Sequence, residues 1–263
     1  MIDWRLHHKA ETASTNLDAR AGAHGDVYTA DFQTAGRGRL DHKWQSPPGA
    51  NLMMSAVLSA GGLSPESVAT LPLVVGLAVV QAIRGLLPVA EAPKVALKWP
   101  NDVLIGGRKV AGILCERNGE TVIVGVGINV KQRVFPPELA DKAISLGSVP
   151  RSSAGPVPNF TGSVPRSSAG PVPNFTGSVP MVREAVLGAL ERLYETWRDR
   201  GFAAVYPAIR AVDFLRGQAL AVRQTDDDAT PVRGLCGGIQ SDGALLVGET
   251  RVYAGEAHVE AIG

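Results

Sequence analysis

The chain has 263 residues, of which 45% are hydrophobic and 19% are charged, and its formal net charge is +1. This apolar content is enough to form a core and excludes global disorder, while the near-neutral charge disfavours a protein that binds nucleic acid through general electrostatic attraction. Cys115 and Cys236 lie far apart in the sequence and do not have the pattern of a disulfide-rich secreted domain.

The N-terminal region and the most apolar stretch lack the pattern of targeting or membrane segments. The first 16 residues contain no apolar h-region, and prolines and polar residues interrupt the apolar stretch over 71–90. The sequence therefore predicts neither a secretory signal nor a membrane span. We expect a cytoplasmic protein with no membrane partner.

Helix-capping motifs and alternating apolar residues are interleaved over the first 146 residues. The predicted elements are helices that begin at Ser14 and Ser64, and strands over 27–32, 51–58, 95–99, 103–105, 109–116 and 121–130. Gly106-Gly107 and Asn118-Gly119 supply short turns between neighbouring strands. Such turns predict an α+β fold with a mixed, largely antiparallel sheet and flanking helices, and argue against a Rossmann arrangement.

The predicted strand over 121–130 has two different faces. Its even positions are all valine or isoleucine and form a continuous core face, whereas its odd positions include Gly125, Gly127 and Asn129. Two glycines on one face allow a flat ligand to lie close to the sheet, with Asn129 at its polar end. A closely packed helix would need the same glycines, and the strand alone does not decide between the two interpretations.

A 15-residue segment is duplicated in the middle of the chain. Residues 147–161 (GSVPRSSAGPVPNFT) recur without change as residues 162–176, and GSVP follows again at 177–180. Structural repeats diverge in sequence and keep an apolar pattern, but this one is identical and rich in proline, serine and glycine. We interpret 147–180 as a duplicated flexible loop, and favour a dispensable linker over a binding role.

The C-terminal part of the chain changes from helical to strand patterning. Apolar residues at helical spacing over 182–197 predict a core helix that stops at Gly201. Short strands follow over 219–222, 232–239, 244–247 and 252–259, with turns at 226–228 and 242–243. We predict a main domain over 1–213 and a small β-barrel domain over 214–263.

The densest basic cluster follows the strand over 27–32. Gln33 begins the segment QTAGRGR, in which Gly36 and Gly38 alternate with Arg37 and Arg39. Exposed backbone amides and two guanidinium groups suit a phosphate or a carboxylate. A phosphate- or RNA-binding surface loop of no special type is the alternative.

Two further polar motifs lie in the strands that follow. In KWPND, the Trp-Pro pair favours an extended turn that projects Asn101 and Asp102, which could hold ribose hydroxyls or Mg²⁺; a plain turn is the alternative. Lys109 shares a strand face with Ala111 and Ile113 by simple alternation, which predicts a partly sheltered ammonium. A solvated hairpin lysine is the alternative there.

In order and approximate spacing, these motifs together resemble the biotin–protein ligase family. The matching segments are STN from Ser14, GRGR followed by Trp44, KWPND, RKVAGIL over 108–114, and GVGIN over 125–129. The resemblance covers residues 1–146 densely and the rest loosely. It implies a catalytic domain similar to class II aminoacyl-tRNA synthetases, followed by an SH3-like C-terminal domain. The STN motif begins at residue 14, so we expect a form without an N-terminal DNA-binding domain and without nucleic acid as a partner.

The resemblance also implies roles for individual residues. The residues implied to bind biotin are Ser14, Thr15, Asn16, Gln33, Gly36, Arg37, Gly38, Arg39, Lys109 and Gly112. Those implied to bind the nucleotide are Arg39, Trp44, Asn101, Asp102 and Asn129, with Asp102 as the ligand for Mg²⁺. Lys109, Arg37 and Arg39 would be catalytic. The family often has an arginine two residues before the tryptophan, where this chain has His42.

The implied reaction uses ATP and Mg²⁺ to activate biotin as biotinyl-AMP, and transfers biotin to a lysine of the carrier domain of acetyl-CoA carboxylase or a related carboxylase. Biotin's carboxylate is ionised at neutral pH, so the barrier is the approach of two anions, which cations rather than a nucleophilic side chain would lower. The alternatives are a lipoate–protein ligase, a transcriptional regulator and an inactive adenylate-binding module. We expect a monomer or a weak homodimer.

Overall fold

The computed structural model describes residues 1–40, 42–149, 175, 177–223 and 230–260. Most of the duplicated segment, at 150–174 and 176, lies outside the described residues, and so does the turn predicted at 226–228. The prediction of a flexible loop over 147–180 is wrong at its two ends, where Val149 and Phe175 are buried in the core and a helix begins at Val179. Between those ends it stays a prediction.

A seven-stranded sheet forms the larger part of the molecule. Its strands are β1 (Arg5–Thr12), β2 (Asp26–Gln33), β3 (Leu52–Ser59), β4 (Val95–Lys98), β5 (Asp102–Ile105), β6 (Arg108–Asn118) and β7 (Thr121–Ile128). Their order across the sheet is β1-β2-β3-β7-β6-β5-β4. Only the pair β1–β2 is parallel, and the other neighbours are antiparallel. The prediction of a mixed, largely antiparallel sheet is confirmed.

Strand β1 is an edge strand that the apolar pattern does not predict. Most of its residues are exposed, from Arg5 to Glu11, so no alternation of apolar residues marks it. It is held by seven pairings to β2, from Arg5 opposite Asp26 to Thr12 opposite Gln33. Its backbone pairing, rather than side-chain burial, defines this strand.

The helices are divided between the two faces of the sheet. They are α1 (Thr15–Asp18), α2 (Pro65–Ala69), α3 (Leu71–Leu86), α4 (Val179–Arg200) and α5 (Tyr206–Arg210). Long helices α3 and α4 pack on the core face, while short α1 lies on the opposite face, where Ala19 and Ile123 pack together. Helix α4 ends at Gly201, with a φ of 74°, as predicted.

The combined helical segment Pro65–Leu86 is long and apolar enough to cross a membrane by length and composition, and 67% of its most apolar window is buried inside the protein. A buried core helix has the same composition, and residues such as Leu71, Leu77 and Ile83 are in contact with the core of the large sheet. In this structure the segment therefore lies in the core of the protein.

The C-terminal strands form a second, five-stranded antiparallel sheet. They are β8 (Ala219–Arg223), β9 (Val232–Ile239), β10 (Leu245–Val247), β11 (Thr250–Val252) and β12 (Glu256–Val259), in the order β11-β10-β9-β8-β12. The prediction of one strand over 252–259 is wrong. The chain bends over 253–255, where Gly255 has a φ of 130°, and β11 and β12 lie at opposite edges of the sheet.

Hydrogen bonds connect β4 with the segment that leads into the second sheet, and the residue after β4 with a turn of that sheet. The Leu97 amide donates to the Val212 carbonyl and the Phe214 amide donates to the Leu97 carbonyl, at 2.7 and 2.8 Å. The Trp99 indole Nε1 donates to the Gly243 carbonyl of the β9–β10 turn at 3.1 Å. These bonds place the C-terminal sheet beside β4, next to the KWPND segment.

Candidate active site

A cavity of about 1310 Å³ lies on the face of the large sheet opposite α3 and α4. Its walls come from α1, the segment after β2, strands β4 to β7, the segment after β7, and Glu256 of β12. Every predicted site residue lines it except Gly36, which is buried beneath the basic loop. The separate sequence motifs therefore converge on one site.

One end of the cavity is polar and internally hydrogen-bonded. Gln33 Oε1 accepts from the Thr15 backbone amide at 2.7 Å and from the Thr15 hydroxyl at 3.1 Å. Ser55 Oγ lies 2.7 Å from Thr15 Oγ1 and 2.6 Å from Asn16 Oδ1. The Ser14 hydroxyl caps no backbone amide of α1, and it makes no hydrogen bond to any of the described residues. Ser14 lines the cavity with its hydroxyl free for a ligand.

The two glycines of β7 are in contact with different side chains. A Cβ on Gly125 would collide with the Asn16 side chain, lying 3.0 Å from its Cγ. A Cβ on Gly127 would lie 2.5 Å from Trp44 Cε2, and one on Gly112 of β6 would lie 3.4 Å from Trp44 Cζ3. The helix-packing interpretation is confirmed at Gly125, which accommodates the α1 segment, whereas the ring that lies on Gly127 is the indole of Trp44, so a flat ligand on this face stays a prediction.

Lys109 lies on the cavity face, so the prediction that it shares a face with Ala111 and Ile113 is wrong. A bulge in the β5–β6 pairing sets Val103 opposite Ala111 but Leu104 opposite Lys109, which shifts the alternation by one residue. The Lys109 side chain crosses Gly112, where a Cβ would lie 3.2 Å from its Cε. Its Nζ forms an ion pair with Asp102 Oδ1 at 2.7 Å.

Asn129 lines the cavity and supports this bulge. Its Nδ2 donates to the Ile144 carbonyl at 3.2 Å and to the Lys109 carbonyl at 3.5 Å. Its Oδ1 accepts from Asn51 Nδ2 at 3.4 Å. The amide nitrogen is therefore engaged with the backbone that carries Lys109.

The basic loop folds back as a narrow hairpin over the cavity. The Trp44 amide donates to the Gly36 carbonyl at 3.0 Å, and the Gly38 amide donates to the His42 carbonyl at 2.6 Å. Leu40, near the tip, has a φ of 50°, a left-handed conformation that is uncommon for leucine.

The two loop arginines face different partners. Arg37 Nη1 lies 3.9 Å from Glu116 Oε1, whereas Arg39 Nη1 donates to Asn101 Oδ1 at 3.5 Å. Burial lowers the pKa of the Arg39 guanidinium, and the carboxylates of Glu256 and Asp102 oppose that shift. Arg39 remains charged, because its ordinary pKa is far above neutral pH. A half-buried cation that lines the cavity is the electrostatic environment that an anionic ligand needs.

The C-terminal sheet contributes one carboxylate to the cavity. Glu256 lines it, and Glu256 Oε1 lies 3.6 Å from Nδ1 of His42, the residue at the family's usual arginine position. The loop is therefore in contact with both sheets.

Neither cysteine is a candidate nucleophile. Burial raises the pKa of the Cys115 thiol to about 12 and that of Cys236 to about 11, so both remain protonated at neutral pH. The part of the chain that the structure describes contains no group of three or more His, Cys, Asp or Glu side chains placed to hold a metal. Asp102 is one carboxylate outside any such group, and it could complete only the coordination of a metal brought by another ligand.

Three residues of the site escaped the sequence analysis. Ser55 is a single small residue in an apolar strand. Glu116 lies in the strand in which only the KVAG motif attracted attention. Glu256 is more than 200 positions from the basic loop. No local pattern marks any of them, because the tertiary fold alone brings them to the site. Lys98 of KWPND also lines the cavity.

Comparison with known proteins gives the same assignment for the motif region. Residues 9–132 match the Biotin/lipoate A/B protein ligase family. The chain is 41% identical over 150 residues to biotin–[acetyl-CoA-carboxylase] ligase of Mycobacterium tuberculosis, covering 54% of this chain and 55% of the relative. It is 42% identical over 129 residues to the bifunctional ligase/repressor BirA of Bacillus subtilis, covering 46% of this chain and 38% of that relative.

A solved structure extends the likeness to nearly the whole chain. The biotin protein ligase of Aquifex aeolicus in complex with biotin and ATP has a TM-score of 0.76 and 26% sequence identity, covering 97% of this chain and 98% of that one. The chain spans only about 38–55% of the two curated relatives described above. Residues 9–132 are therefore similar in sequence to the biotin/lipoate A/B protein ligase family, and the fold of nearly the whole chain is similar to that of a biotin protein ligase.

Proposed function

We propose that this protein is a biotin–protein ligase, which activates biotin with ATP and transfers it to a lysine of a carboxylase carrier domain. One observation carries the proposal: a polar end made of short hydroxyl and amide side chains and a cationic end meet in a single cavity of about 1310 Å³. Biotinyl-AMP is complementary to this cavity, because it has a ureido ring for the polar end and a phosphate for the cationic end.

The polar end favours biotin over lipoate. A ureido ring carries a carbonyl acceptor and two N–H donors, which hydroxyl and amide groups such as Ser14, Thr15 and Asn16 can satisfy. The dithiolane ring of lipoate offers no comparable hydrogen bonds, so it would leave buried polar groups without partners. The biotin-binding roles of Gln33, Gly36, Gly38 and Gly112 belong to the same proposal.

The cationic end suits the first chemical step. Biotin's carboxylate oxygen attacks the α-phosphorus of ATP, the bond to the β-phosphate oxygen breaks, and pyrophosphate leaves. Lys109, Arg37 and Arg39 reduce the repulsion between the two anions and stabilise the charge that develops at phosphorus. Asp102, 2.7 Å from Lys109 Nζ, holds that side chain across Gly112.

The nucleotide lies at the end of the cavity lined by Trp44, Asn101, Asp102 and Asn129. Mg²⁺ enters as part of the ATP complex, with phosphate oxygens as its main ligands and Asp102 as a contributing carboxylate. In the second step a lysine amine of the carrier attacks the acyl carbon, the bond to the phosphate oxygen breaks, and AMP leaves. The hairpin loop shields the reactive anhydride from water between the two steps.

The acceptor and the domain division complete the proposal. The mycobacterial relative is named for acetyl-CoA carboxylase, which supports a carrier domain of that kind as the partner. We assign 1–213 to the catalytic domain and 214–263 to an SH3-like barrel, supported by the five short antiparallel strands of the second sheet. A cytoplasmic location, a monomeric or weakly dimeric state and the absence of nucleic-acid binding stay predictions from the sequence.

The decisive experiment measures incorporation of labelled biotin into an apo carrier domain of acetyl-CoA carboxylase, with ATP and Mg²⁺. We expect label on the carrier lysine, dependent on ATP, and no competition from excess lipoate. Labelling that lipoate suppresses, or lipoylation in place of biotinylation, would support the lipoate ligase alternative instead. Tight biotin-AMP binding without transfer would support the inactive binding module.

A further inference from the structure

A carboxylate lies behind the polar end of the cavity without lining it. Glu116 of β6 is largely buried, with 26% of its side chain exposed. It stands between Asn16 of α1 and Arg37 of the basic loop, and its two oxygens face different partners. It does not contact the cavity, so any effect it has on a ligand must act through those neighbours.

The first oxygen fixes the orientation of Asn16. Asn16 Nδ2 donates to Glu116 Oε2 at 2.6 Å and to the Leu114 carbonyl at 3.4 Å, while Asn16 Oδ1 lies 2.6 Å from Ser55 Oγ. An ionised carboxylate can only accept, so the nitrogen of the amide must point at Glu116 and the oxygen must point away. Both N–H groups are then used, and the capacity left for a ligand is the second lone pair of Oδ1.

The sheet prevents Asn16 from escaping this arrangement. The Asn16 amide lies directly on Gly125, where the atom nearest to a Cβ would be Asn16 Oδ1, followed by Cγ at 3.0 Å and Nδ2 at 3.1 Å. Asn16 is 5% exposed and Ser55 is fully buried. A buried amide held by these contacts presents one polarity to the cavity.

The second oxygen acts on the loop. Glu116 Oε1 lies 3.9 Å from Arg37 Nη1 and 4.0 Å from Arg20 Nη2. The partly buried carboxylate of Glu116 attracts both guanidinium groups. It therefore keeps Arg37, the first arginine of the loop, near the polar end of the cavity. The same residue therefore links the floor of the cavity to the loop above it.

We infer that Glu116 is a positioning residue that makes Asn16 a hydrogen-bond acceptor toward the ligand, and so selects a ligand with an N–H group at this end. The inference rests on the proposed function and deepens it: the selected group is a ureido N–H of biotin. Arg37 is held beside that group by the same carboxylate.

The test is Glu116→Gln, which keeps the shape of the side chain and removes its fixed polarity. A glutamine side chain can either donate through its NH₂ group or accept through its carbonyl oxygen. Asn16 can then turn over and direct its nitrogen, instead of its oxygen, towards the cavity. We expect the Kd for biotin alone, measured by calorimetry without ATP, and the KM for biotin both to rise ~10-fold, the loss typical of a charge-assisted hydrogen bond. At saturating biotin kcat should fall by a smaller factor than KM rises, because the bond to Asn16 is formed equally in the ground and transition states and only the 3.9 Å contact with Arg37 reaches the reacting groups.

A second ligand isolates the polarity of Asn16. Wild-type protein should bind biotin methylated at the ureido nitrogen at least ~10-fold more weakly than biotin, since the donor is lost and a buried acceptor stays unpaired. In Glu116→Gln that ratio should fall towards one, an effect that a merely structural role of Glu116 would not produce.

Glu184→Gln, on the exposed side of α4 and paired only with Arg183 among the described residues, is the matched control and should behave as wild type. Unchanged biotin binding in Glu116→Gln, or an unchanged ratio between the two ligands, overturns the inference while leaving the proposed function intact. Failure of wild-type protein to bind biotin at all overturns the proposed function and the inference with it. Equal melting temperatures of the variant and wild type verify that the comparison concerns folded protein.

Discussion

The floor and the lid of the cavity are held in opposite ways. The floor, formed by Thr15, Asn16 and Ser55 over β7, is buried, and close hydrogen bonds hold it directly on the sheet. The lid is the hairpin from Gly36 to Trp44. Its Arg37, Leu40, His42 and Lys43 are exposed, and its side chains make longer contacts, at 3.5 to 3.9 Å, to Asn101, Glu116 and Glu256.

This difference assigns a different task to each region. A floor with fixed donors and acceptors discriminates between ligands, because a mismatched group leaves a buried partner unsatisfied. A lid with loosely held cations can follow the negative charge as it moves from carboxylate to phosphate, and can open to release the product. Lys109 lies on the sheet, as the floor residues do, but it carries a positive charge, as the arginines of the lid do.

Removal of that shared cation gives the largest predicted effect. Lys109→Ala should lower the rate of biotinyl-AMP formation by ~10²- to 10³-fold, because one preorganised charge at the reacting phosphate is lost. Single-turnover formation of the adenylate from labelled ATP measures it. Lys9→Ala, which removes an exposed ammonium paired with Asp18, is the control. A rate near that of wild type would show that Lys109 has no part in the chemistry.

Gly125→Ala tests the rigidity of the floor. The new methyl group would collide with Asn16, which cannot move without breaking its bonds to Ser55 and Glu116. We expect a loss of ~1–3 kcal/mol in the free energy of unfolding, as for overpacking of a buried site, and a rise of at least ~10-fold in the KM for biotin, as for loss of a buried hydrogen-bond partner.

Urea denaturation and initial-rate kinetics measure the two effects of Gly125→Ala. Gly85→Ala in helix α3 is the matched control, since its methyl group would meet no atom within 4 Å beyond the backbone of its own helix. A floor that tolerates the Gly125→Ala change would remove the distinction between the two regions.

Gly127→Ala makes the same chemical change beneath the lid. Its methyl group would meet the Trp44 indole, which belongs to a loop that can shift. The free energy of unfolding should therefore change by less than ~1 kcal/mol. The KM for ATP should rise by a few-fold, roughly 3- to 10-fold, as the displaced ring loses part of its contact with the nucleotide. A stability loss as large as that of Gly125→Ala would mean that Trp44 is as firmly held as Asn16.

Deletion of one copy of the duplicated segment, 162–176, should have the smallest effect. Because the copies are identical, the shortened chain keeps a Phe at the place of Phe175, which is packed in the core, and keeps 147–149 and 177–180. We expect activity within about 2-fold of wild type and a melting temperature within about 2 °C. A larger loss in carrier labelling or in thermal denaturation would contradict the interpretation of this segment as a linker.

Sequence patterns predicted the parts of the fold that local geometry dictates. The hairpin of β5 and β6 and the core face of β7 follow from glycine turns and strict alternation, and both are confirmed. Alternation failed at Lys109 because a bulge has two residues opposite one, and no residue type in the segment marks that irregularity. Strand β1 was missed because an exposed edge strand has no buried face to produce a pattern.

The site was predicted in a similar way. The motifs that converge on the cavity each contain several characteristic residues close together, whereas Ser55 and Glu116 act from strands whose sequence is explained by packing. Glu256 reaches the cavity only because the second sheet docks beside β4. Supporting residues of this kind are determined by tertiary neighbours, which no local pattern contains.

The docking of the second sheet also limits how the chain can be divided. The indole of Trp99 is 2% exposed and donates to the Gly243 carbonyl, and buried side chains of both sheets belong to one continuous core. Ending the chain at the proposed boundary after residue 213 would leave that ring facing solvent and its nitrogen without the carbonyl. The two units should therefore melt in a single cooperative transition, and a truncated catalytic half should aggregate rather than fold by itself.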